Sequence, residues 1–324
     1  MNVFVTGGTG FIGSHLADSL INNPAVERVR CLVRSSDKWL EGKEFERVKG
    51  DLHSIQTLEK ALKDVDIIYH LAGVVKAPSQ REFDYANVDA TENLLRIAEK
   101  LGIRKLVITS SLAAAGPSNG SPVTEDDPMR PVSMYGESKK RMEEMIHDVA
   151  GDEMSVTIIR PPAVYGPRED QIYTLFKMMN YGIAPIVGNG YHPELSIVYV
   201  QDVIQGILKA GEQTEKGVHT YFISGEEIAN WNRIRDIVTK VSGRKNIAVK
   251  IRPGWVKKIA GAVETTASFF GTYPVINREK ANEMILEWTC SHEKAKKELH
   301  YKPEYSLEEG ISRTLRWYKQ HGWL

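Results

Sequence analysis

The fold is decided by a stretch near the N-terminus, Val3-Phe4-Val5-Thr6-Gly7-Gly8-Thr9-Gly10-Phe11-Ile12-Gly13. Its apolar beginning predicts a buried strand, and the apolar spacing of residues 12–21 predicts a helix directly after the glycines. A glycine turn between a strand and a helix offers backbone N–H groups, the positive end of the helix and room for a pyrophosphate. We therefore predict a dinucleotide-binding loop whose contact residues are Gly7, Thr9, Gly10, Phe11, Ile12 and Gly13.

Short apolar runs alternate with amphipathic stretches through the first half of the chain. The runs predict strands at residues 3–6, 29–33, 67–71, 106–109 and 156–159. The stretches predict helices at residues 12–21, 58–62, 88–101 and 134–149. Such alternation is typical of an α/β fold, a doubly wound parallel sheet of the Rossmann type, in which the strands are buried on both faces.

After Pro167 the alternation stops, and glycine and proline become frequent. We expect residues 1–167 to form an NAD(P)-binding Rossmann domain and residues 168–324 to form mainly a smaller C-terminal substrate-binding lobe. A strand near residues 196–200 and the helix after it should return to the first domain, over residues 196–212. Further helices are predicted at residues 230–241 and 256–270, and a last one begins at the capping box of Ser306 and Glu309.

The composition narrows the possible partners and compartment. The 324 residues include 42 Lys and Arg against 42 Asp and Glu, so the formal net charge is zero. Zero net charge favours neither nucleic acid nor an anionic membrane as the main partner. Cys31 and Cys290 lack metal-like spacing, and we expect two reduced thiols, no metal site and a cytoplasmic location. The N-terminus does not resemble a signal peptide.

The end of the second predicted strand bears on the choice of cofactor. About twenty residues after the last glycine, NAD-binding proteins usually have an acidic residue that binds the ribose 2′-hydroxyl. Here the position holds Arg34, with Lys38 nearby, and a guanidinium binds phosphate oxygens through two hydrogen bonds. We therefore expect NADP rather than NAD. The alternative is that Arg34 is a solvated charge and that Asp37 reaches the ribose.

A phenol and an ammonium are placed together on the predicted helix at residues 134–149. Tyr135 and Lys139 are four residues apart and so share one helix face. One Tyr-x-x-x-Lys is expected by chance in a chain with 13 tyrosines, so the spacing alone decides nothing. However, Ser110 and Ser111 follow an earlier strand at the carboxyl edge of the sheet, where open α/β proteins bind ligands. These neighbours make it less probable that the Tyr-x-x-x-Lys spacing arose by chance.

Taken in order along the chain, these motifs resemble those of the extended short-chain dehydrogenases/reductases. They are Thr6–Gly13, Gly50-Asp51-Leu52, His70-Leu71-Ala72-Gly73, Thr109-Ser110-Ser111, Tyr135–Lys139 and Arg160-Pro161-Pro162-Ala163-Val164-Tyr165-Gly166-Pro167. The resemblance covers the first half well and the second half more loosely. Within the family, the chain is most similar to the dihydroflavonol-reductase and 3β-hydroxysteroid-dehydrogenase branch.

The resemblance implies specific roles for the catalytic candidates. Tyr135 would be the general acid/base on the substrate oxygen, and Lys139 would favour its phenolate and hold the nicotinamide ribose. Ser111 would orient the carbonyl by a hydrogen bond, because the family's serine lies five residues before a glycine, here Gly116. Ser110 remains the alternative.

The resemblance also implies further cofactor contacts. Asp51 and Leu52 would meet the adenine, and Leu71, Ala72 and Gly73 would pass close to the cofactor. The remaining contacts would be Thr109, Tyr135, Lys139, Pro162 and Val164.

For three polar residues the interpretation is different. Asn87 is equally a helix cap or a functional residue, His70 is expected to be an interior histidine, and Asp202 is expected to cap a helix.

For function, the first hypothesis is an NAD(P)-dependent reductase or dehydrogenase acting on a ketone or secondary alcohol of a non-nucleotide small molecule. The alternatives are a nucleotide-sugar epimerase or dehydratase and a cofactor-sensing regulator without activity. Sugar-modifying members of the family commonly have asparagine where this chain has Ala163, and an arginine that is missing after Gly190. Residues 256–270 are interpreted as a cover over the substrate or, alternatively, a membrane-docking helix. The family's pairing of two helices, here 88–101 and 134–149, implies a homodimer.

Overall fold

The computed structural model describes residues 1–252, 254–256 and 278–324. The predicted helix at residues 256–270 lies outside the described residues, except for its first residue.

Seven parallel strands form the central sheet and confirm the predicted Rossmann fold. In spatial order they are Gly217–Phe222, Ser155–Arg160, Lys105–Thr109, Ile67–His70, Asn2–Thr6, Arg28–Val33 and Glu46–Lys49. The five inner strands agree with the sequence prediction, and their side chains are almost entirely buried. Strand order changes direction on either side of Asn2–Thr6, whose two neighbours are Arg28–Val33 and Ile67–His70. A ligand crevice is expected at the carboxyl ends of the strands at this point.

Helices cover both faces of the sheet. The α-helices within the described ranges are Phe11–Ile21, Ile55–Ala61, Gln80–Asp84, Ala90–Lys100, Leu112–Ala115, Met134–Val149, Tyr173–Asn180, Val200–Glu212, Trp231–Ser242, Arg278–Glu283, Glu293–Glu298 and Leu307–Gln320. On one face, a core forms around Phe4, Leu58, Leu94 and Ile146. On the other face, a second core includes Val5, Leu16 and Ile207. Because Ile207 belongs to Val200–Glu212, this helix packs on the sheet together with Phe11–Ile21.

The sequence pattern does not predict the two edge strands of the large sheet. Glu46–Lys49 is polar and mostly exposed, and Gly217–Phe222 is buried only at its last two residues. Edge strands need not be apolar, because only one of their sides is paired. Gly217–Phe222 joins the large sheet although it follows residue 167.

The second half of the chain adds two small sheets. Strand Leu195–Tyr199 pairs with Ala163–Tyr165 on one side and Ile228–Ala229 on the other. Strand Ile183–Val187 pairs in parallel with Ile247–Ile251. The predicted last helix begins after Ser306, whose hydroxyl accepts a hydrogen bond from the Glu309 N–H at 3.2 Å. It packs against the helix Trp231–Ser242 and encloses a third core.

Candidate active site

The glycine loop forms a cradle that only glycine residues fit. Gly7 has φ +72°, and a Cβ there would lie 2.6 Å from the Ala72 nitrogen. A Cβ on Gly13 would collide with the carbonyl oxygen of Gly7. The helix Phe11–Ile21 begins after Gly10, where no side chain caps its first N–H groups. These residues therefore fit a dinucleotide pyrophosphate, which the helix end and its N–H groups would bind.

Arg34 and Lys38 lie on the exposed loop after the strand Arg28–Val33. Asp37, the alternative contact for a ribose hydroxyl, forms an ion pair with Arg47 at 3.1 Å. The carboxylate therefore already has a cationic partner, while the two cations of the loop face solvent. The loop therefore carries two exposed positive charges.

The three catalytic candidates are brought together at the carboxyl edge of the sheet. Ser111 and Tyr135 line one pocket, and the Ser111 hydroxyl favours the ionised form of the Tyr135 phenol. The Lys139 ammonium, one helical turn further on, donates to the carbonyl oxygen of Thr109 at 3.0 Å. It also lies close to Gly73, since a Cβ on Gly73 would be 3.4 Å from Nζ. A serine, a tyrosine and a lysine thus meet within one site.

Ser110 has a different environment from its neighbour. Its buried hydroxyl donates a hydrogen bond to Oε1 of Glu143, and Arg160 donates to both oxygens of the same carboxylate. Glu143 is 1% exposed and Arg160 4%. This buried charge pair engages the Ser110 hydroxyl, whereas the Ser111 hydroxyl is in the pocket. The geometry therefore favours Ser111 as the residue that meets a substrate.

Burial controls the protonation of Tyr135 and Lys139. Enclosure by protein atoms raises the pKa of Tyr135 to about 12, although the hydrogen bond with Ser111 acts in the opposite direction. Burial lowers the pKa of Lys139 to about 8, and the nearby Glu143 carboxylate partly offsets this. Tyr135 is therefore a neutral phenol at pH 7 in the protein alone. A nearby positive charge, such as that of an oxidised nicotinamide, would lower its pKa.

His70 is an interior histidine, as predicted from the sequence. Its Nδ1 lies 2.7 Å from Oγ1 of Thr6, and its Nε2 lies 2.9 Å from Oγ1 of Thr91. The Thr91 hydroxyl donates to the carbonyl oxygen of Asn87, so Nε2 must carry the proton that it shares with Thr91. Burial lowers the pKa of His70 to about 3. This neutral ring ties the strand Ile67–His70 to its neighbours and does not reach the pocket.

Asn87 is not the helix cap that one of the two interpretations predicted. It lies inside a continuous helical run, in the π-helical turn Tyr85–Asp89. Its side-chain oxygen accepts from the N–H of Val74 at 2.8 Å, and its nitrogen donates to Ser138 Oγ at 3.0 Å. Asn87 therefore connects the loop after the strand Ile67–His70 to the helix that carries Tyr135. Sequence alone could not show this, because the turn interrupts no apolar pattern.

Asp202 is also not a cap. The helix Val200–Glu212 begins two residues earlier, and Asp202 Oδ1 accepts from the Glu304 N–H at 2.7 Å. Burial raises the pKa of this carboxyl to about 6. Asp202 thus holds the segment that leads into the last helix, far from the catalytic residues along the chain.

The other predicted cofactor residues lie along the same edge of the sheet. Thr109 has a buried hydroxyl with no hydrogen-bond partner in the described part of the chain. Pro162 lines the pocket itself, and Val164 packs between two apolar cores. The unpartnered hydroxyl of Thr109 is consistent with a ligand that would bind it at this position.

The remaining predicted positions come after neighbouring strands. The Asp51 carboxylate accepts from the His53 N–H at 2.9 Å, which helps to lower its pKa, and Leu52 is buried behind it. Backbone N–H groups of Leu71 and Ala72 donate to Thr6, which fixes their path beside the glycine loop.

Next to Ser111 and Tyr135 lies a pocket of about 290 Å³. Its described lining is mostly apolar: Leu112, Ala113, Pro162, Ala163, Leu195, Trp231, Met284 and Trp288, with Ser196 and Glu283 as the other polar members. Among these described residues there is no lysine and no arginine. Glu283, the charged member, contributes to the raised pKa of Tyr135.

The wall of the pocket comes from residues that sequence motifs do not identify. Trp288 pairs with Leu195 through backbone hydrogen bonds to Glu194 and Ser196, at 2.9 and 2.6 Å. Glu279 accepts a hydrogen bond from the N–H of Met134, at the beginning of the catalytic helix. The segment after residue 277 is thus fastened to the catalytic residues, although no motif in the sequence predicts it.

Arg168 does not lie in the pocket. Its guanidinium pairs with Asp18 at 2.8 Å, donates to Ser14 Oγ at 3.0 Å and stacks over Trp39. Within the described ranges there is also no cluster of three residues suited to hold a metal ion. No helix among the described residues is long and apolar enough to cross a bilayer.

Comparison with known proteins agrees with this fold and site. A seven-stranded Rossmann sheet with serine, tyrosine and lysine at its carboxyl edge defines the extended class of short-chain dehydrogenases/reductases. The model of the NAD dependent epimerase/dehydratase family matches residues 3–224, and the chain belongs to this family. Since members of this family are NAD-dependent oxidoreductases or epimerases, the protein is an enzyme of that kind. The predicted resemblance is confirmed.

The relatives include both kinds of chemistry. The ceramide reductase of Caulobacter vibrioides is 27% identical over 99% of this chain and 96% of its own. The crystal structure of gox2253 is 30% identical with a TM-score of 0.82, covering 99% of this chain and 98% of that one. A UDP-glucuronic acid 4-epimerase from Bacillus cereus, in complex with UDP-glucuronic acid and NAD, is 25% identical with a TM-score of 0.79, covering 99% and 100%.

Proposed function

We propose that this enzyme transfers hydride between NADP(H) and a ketone or secondary alcohol of an apolar small molecule that is not a nucleotide sugar. The observation that carries the proposal is the lining of the pocket beside Ser111 and Tyr135. Apolar side chains dominate it, two of them tryptophans, and its described members bring no cation.

A nucleotide diphosphate would be poorly bound in such a pocket. Its two phosphates would leave water without charged hydrogen-bond donors, which costs several kcal/mol in a dry site. Ala163 offers no side-chain hydrogen bond, and Leu195 begins the strand before which sugar-modifying members carry arginine. Arg168 could have compensated, but it is held by Asp18 and Ser14.

Each catalytic residue of the chain has a distinct role in this reaction. The bound cofactor supplies or accepts the hydride. Ser111 donates a hydrogen bond to the substrate oxygen and so orients the carbonyl carbon. Tyr135 gives the proton to that oxygen during reduction and takes it back during oxidation. Lys139 places positive charge behind the phenol and next to Gly73, which favours the phenolate and the binding of the ribose.

NADP preference is the second part of the proposal. It is supported by two exposed cations, Arg34 and Lys38, after the second strand of the chain, and by the ion pair that engages Asp37. A 2′-phosphate would meet a positively charged loop there.

We also propose a homodimer and a cytoplasmic location, as the family resemblance and the composition suggest. Light scattering at several protein concentrations tests the dimer, and a constant monomer mass would exclude it.

Calorimetry with uridine diphosphate and guanosine diphosphate tests the substrate class. The titrations use the full enzyme saturated with NADPH, so that binding at the cofactor site does not contribute. We expect no binding at millimolar nucleotide. Micromolar binding of either nucleotide, in competition with a substrate, would contradict the proposal.

That outcome would instead support a nucleotide-sugar epimerase or dehydratase, the candidate favoured by the similarity to the UDP-glucuronic acid 4-epimerase. A regulator without activity is less well supported, because a regulator need not keep Ser111, Tyr135 and Lys139 together in one site.

A further inference from the structure

The small parallel pair of strands Ile183–Val187 and Ile247–Ile251 has an exposed apolar face. Ile183 lies directly opposite Ile247, and Pro185 opposite Val249. The exposed fractions are 46% for Ile183, 74% for Ile247 and 46% for Val249. Parallel strands are normally covered on both faces. This face is therefore an unusual site for three large apolar side chains.

Two further exposed apolar residues come from the preceding helix and the turn after it. Met178 is 40% exposed and Tyr181 is 60% exposed. The turn that follows Tyr181 is joined to the second strand, because the N–H of Ile247 donates to the carbonyl oxygen of Gly182 at 2.8 Å. We call these five side chains the apolar patch: Met178, Tyr181, Ile183, Ile247 and Val249. Large apolar side chains exposed in one region of a protein commonly mark a binding surface.

Cations surround the apolar patch. Lys177 precedes Met178, and Arg244 and Lys245 lead into the strand that carries Ile247. Arg244 is held there by a hydrogen bond from its guanidinium to the carbonyl oxygen of Asn180, at 3.3 Å. All three cations are exposed, and Lys177 Nζ lies 5.4 Å from the centre of the Tyr173 ring.

The sequence around the patch also lacks negative charge. From residue 171 to residue 193, and again from residue 237 to residue 263, there is no aspartate or glutamate, and the charged residues are lysine and arginine alone. The zero net charge of the whole chain therefore hides a strongly uneven distribution. The expectation that a membrane is not a partner rests on the total charge, which averages over this region.

We propose that the apolar patch docks the enzyme on the surface of an anionic lipid bilayer. Isoleucine, valine and methionine side chains would enter the boundary between headgroups and acyl chains, and Tyr181 would sit at the headgroup level. Lys177, Arg244 and Lys245 would attract anionic lipid, each contributing about tenfold or less to the affinity.

The charges favour a bilayer over a second copy of the chain. Two patches packed face to face would bring the same lysines and arginines together without acidic partners, and like charges across an interface oppose association. An anionic bilayer complements both the apolar and the basic parts of the surface. Binding of this kind is interfacial and requires no membrane-spanning segment.

The patch is connected to the pocket through one strand and the turn after it. The strand Ile183–Val187 runs from the patch to the turn at Gly190, whose carbonyl oxygen accepts from the N–H of Asn232. Asn232 is next to Trp231, which lines the pocket. Five strand residues span roughly 15–20 Å. The inference goes beyond the proposed function and does not depend on it, since binding is measured without substrate.

Vesicle sedimentation tests the proposal with the full-length protein. We expect the wild type to sediment with vesicles that contain phosphatidylglycerol and not with pure phosphatidylcholine vesicles, and to be released by high salt. The double variants Ile247→Ser/Val249→Ser and Arg244→Glu/Lys245→Glu should each lose at least about tenfold in binding. Their exposed positions should leave the fold intact, which circular dichroism and NADPH binding will check.

Matched controls lie on and just after the helix Ile55–Ala61, which packs on the large sheet through Leu58. Ile55 is 42% exposed, and Lys60 and Lys63 are exposed near it. Ile55→Ser and Lys60→Glu/Lys63→Glu should bind vesicles as the wild type does. Absence of binding to phosphatidylglycerol vesicles, or equal losses in the controls, would overturn the proposal. So would a concentration-dependent dimer that the patch variants abolish, since the patch would then be covered by a second copy.

Discussion

The Ser110 hydroxyl donates a hydrogen bond to the buried carboxylate of Glu143, although the next residue, Ser111, lines the substrate pocket. Two adjacent serines thus have separate environments. We expect Ser111→Ala to lower kcat by about 10²-fold, because a positioned donor to the reacting oxygen is lost. Affinity for NADPH should change little, as measured by fluorescence titration.

Ser110→Ala is the matched control. It removes a buried hydrogen bond to a charged group, which should lower the free energy of unfolding by about 1.5–3 kcal/mol in denaturant titrations. Its kcat should stay within a few-fold of the wild type. The reverse result, with Ser110→Ala inactive and Ser111→Ala active, would show that the assignment of the two serines is wrong.

Tyr135→Phe removes only the oxygen that carries the proton. Turnover should fall below detection while NADPH binding remains close to wild type.

The isolated enzyme holds Tyr135 protonated at pH 7, because burial raises its pKa to about 12. Since oxidation requires the phenolate, the rate of alcohol oxidation should rise with pH, and that of ketone reduction should not. A variant with normal turnover would exclude this residue as the acid/base.

Lys139 is predicted to destabilise the protein when the cofactor is absent. Burial lowers its pKa from 10.5 to about 8, so the buried cation is unfavourable at pH 7. Lys139→Met should therefore raise the free energy of unfolding at pH 7 by up to about 3 kcal/mol while abolishing activity.

The pH dependence has a definite sign. Burial of the cation costs the folded protein its full penalty below about pH 8, and this penalty disappears as the pH rises from about 8 to 10.5, where the unfolded chain keeps the proton on Lys139 and the folded protein releases it. Wild-type stability should therefore rise relative to Lys139→Met as the pH rises through this interval. In terms of proton counts, the unfolded state binds more protons across this interval, and stability increases with pH there. Lys140→Met is the control, because Lys140 lies on the surface near Glu144. Equal stability of Lys139→Met and wild type at pH 7 would contradict the assigned environment.

Arg34 is predicted to set the preference for NADP. Arg34→Ala should weaken NADP(H) binding at least about tenfold, since a charged hydrogen bond to phosphate contributes about 1.5–3 kcal/mol. NAD(H) binding should not change. Arg104→Ala, at an exposed arginine paired with Glu153, serves as the control. Equal affinity of the wild type for the two cofactors would remove the basis for this prediction.

The buried parts of the fold could be predicted from sequence, and the edges could not. The five inner strands of the large sheet are mostly apolar and almost entirely buried, so their composition reveals them. The outer strands Glu46–Lys49 and Gly217–Phe222 are half solvated and carry polar side chains. A pattern based on burial does not detect such strands.

In the candidate site, too, some residues could be predicted from sequence and others could not. Ser111, Tyr135 and Lys139 lie in short motifs whose chemistry requires those residue types, and the structure brings them together. Leu195, Trp231 and Trp288 reach the pocket from distant parts of the chain. Each is an ordinary apolar residue in its local sequence, so only the tertiary fold shows that they line the site. The proposal of an apolar substrate rests on these residues more than on the catalytic motif.

The most direct test of the proposed function monitors nicotinamide absorbance while the enzyme is offered NADPH with a panel of apolar ketones and, separately, with nucleotide sugars. We predict net oxidation of NADPH with at least one apolar ketone, and none by the Tyr135→Phe variant. Conversion of a nucleotide sugar without a net change in nicotinamide absorbance would contradict the account and identify an epimerase or a dehydratase.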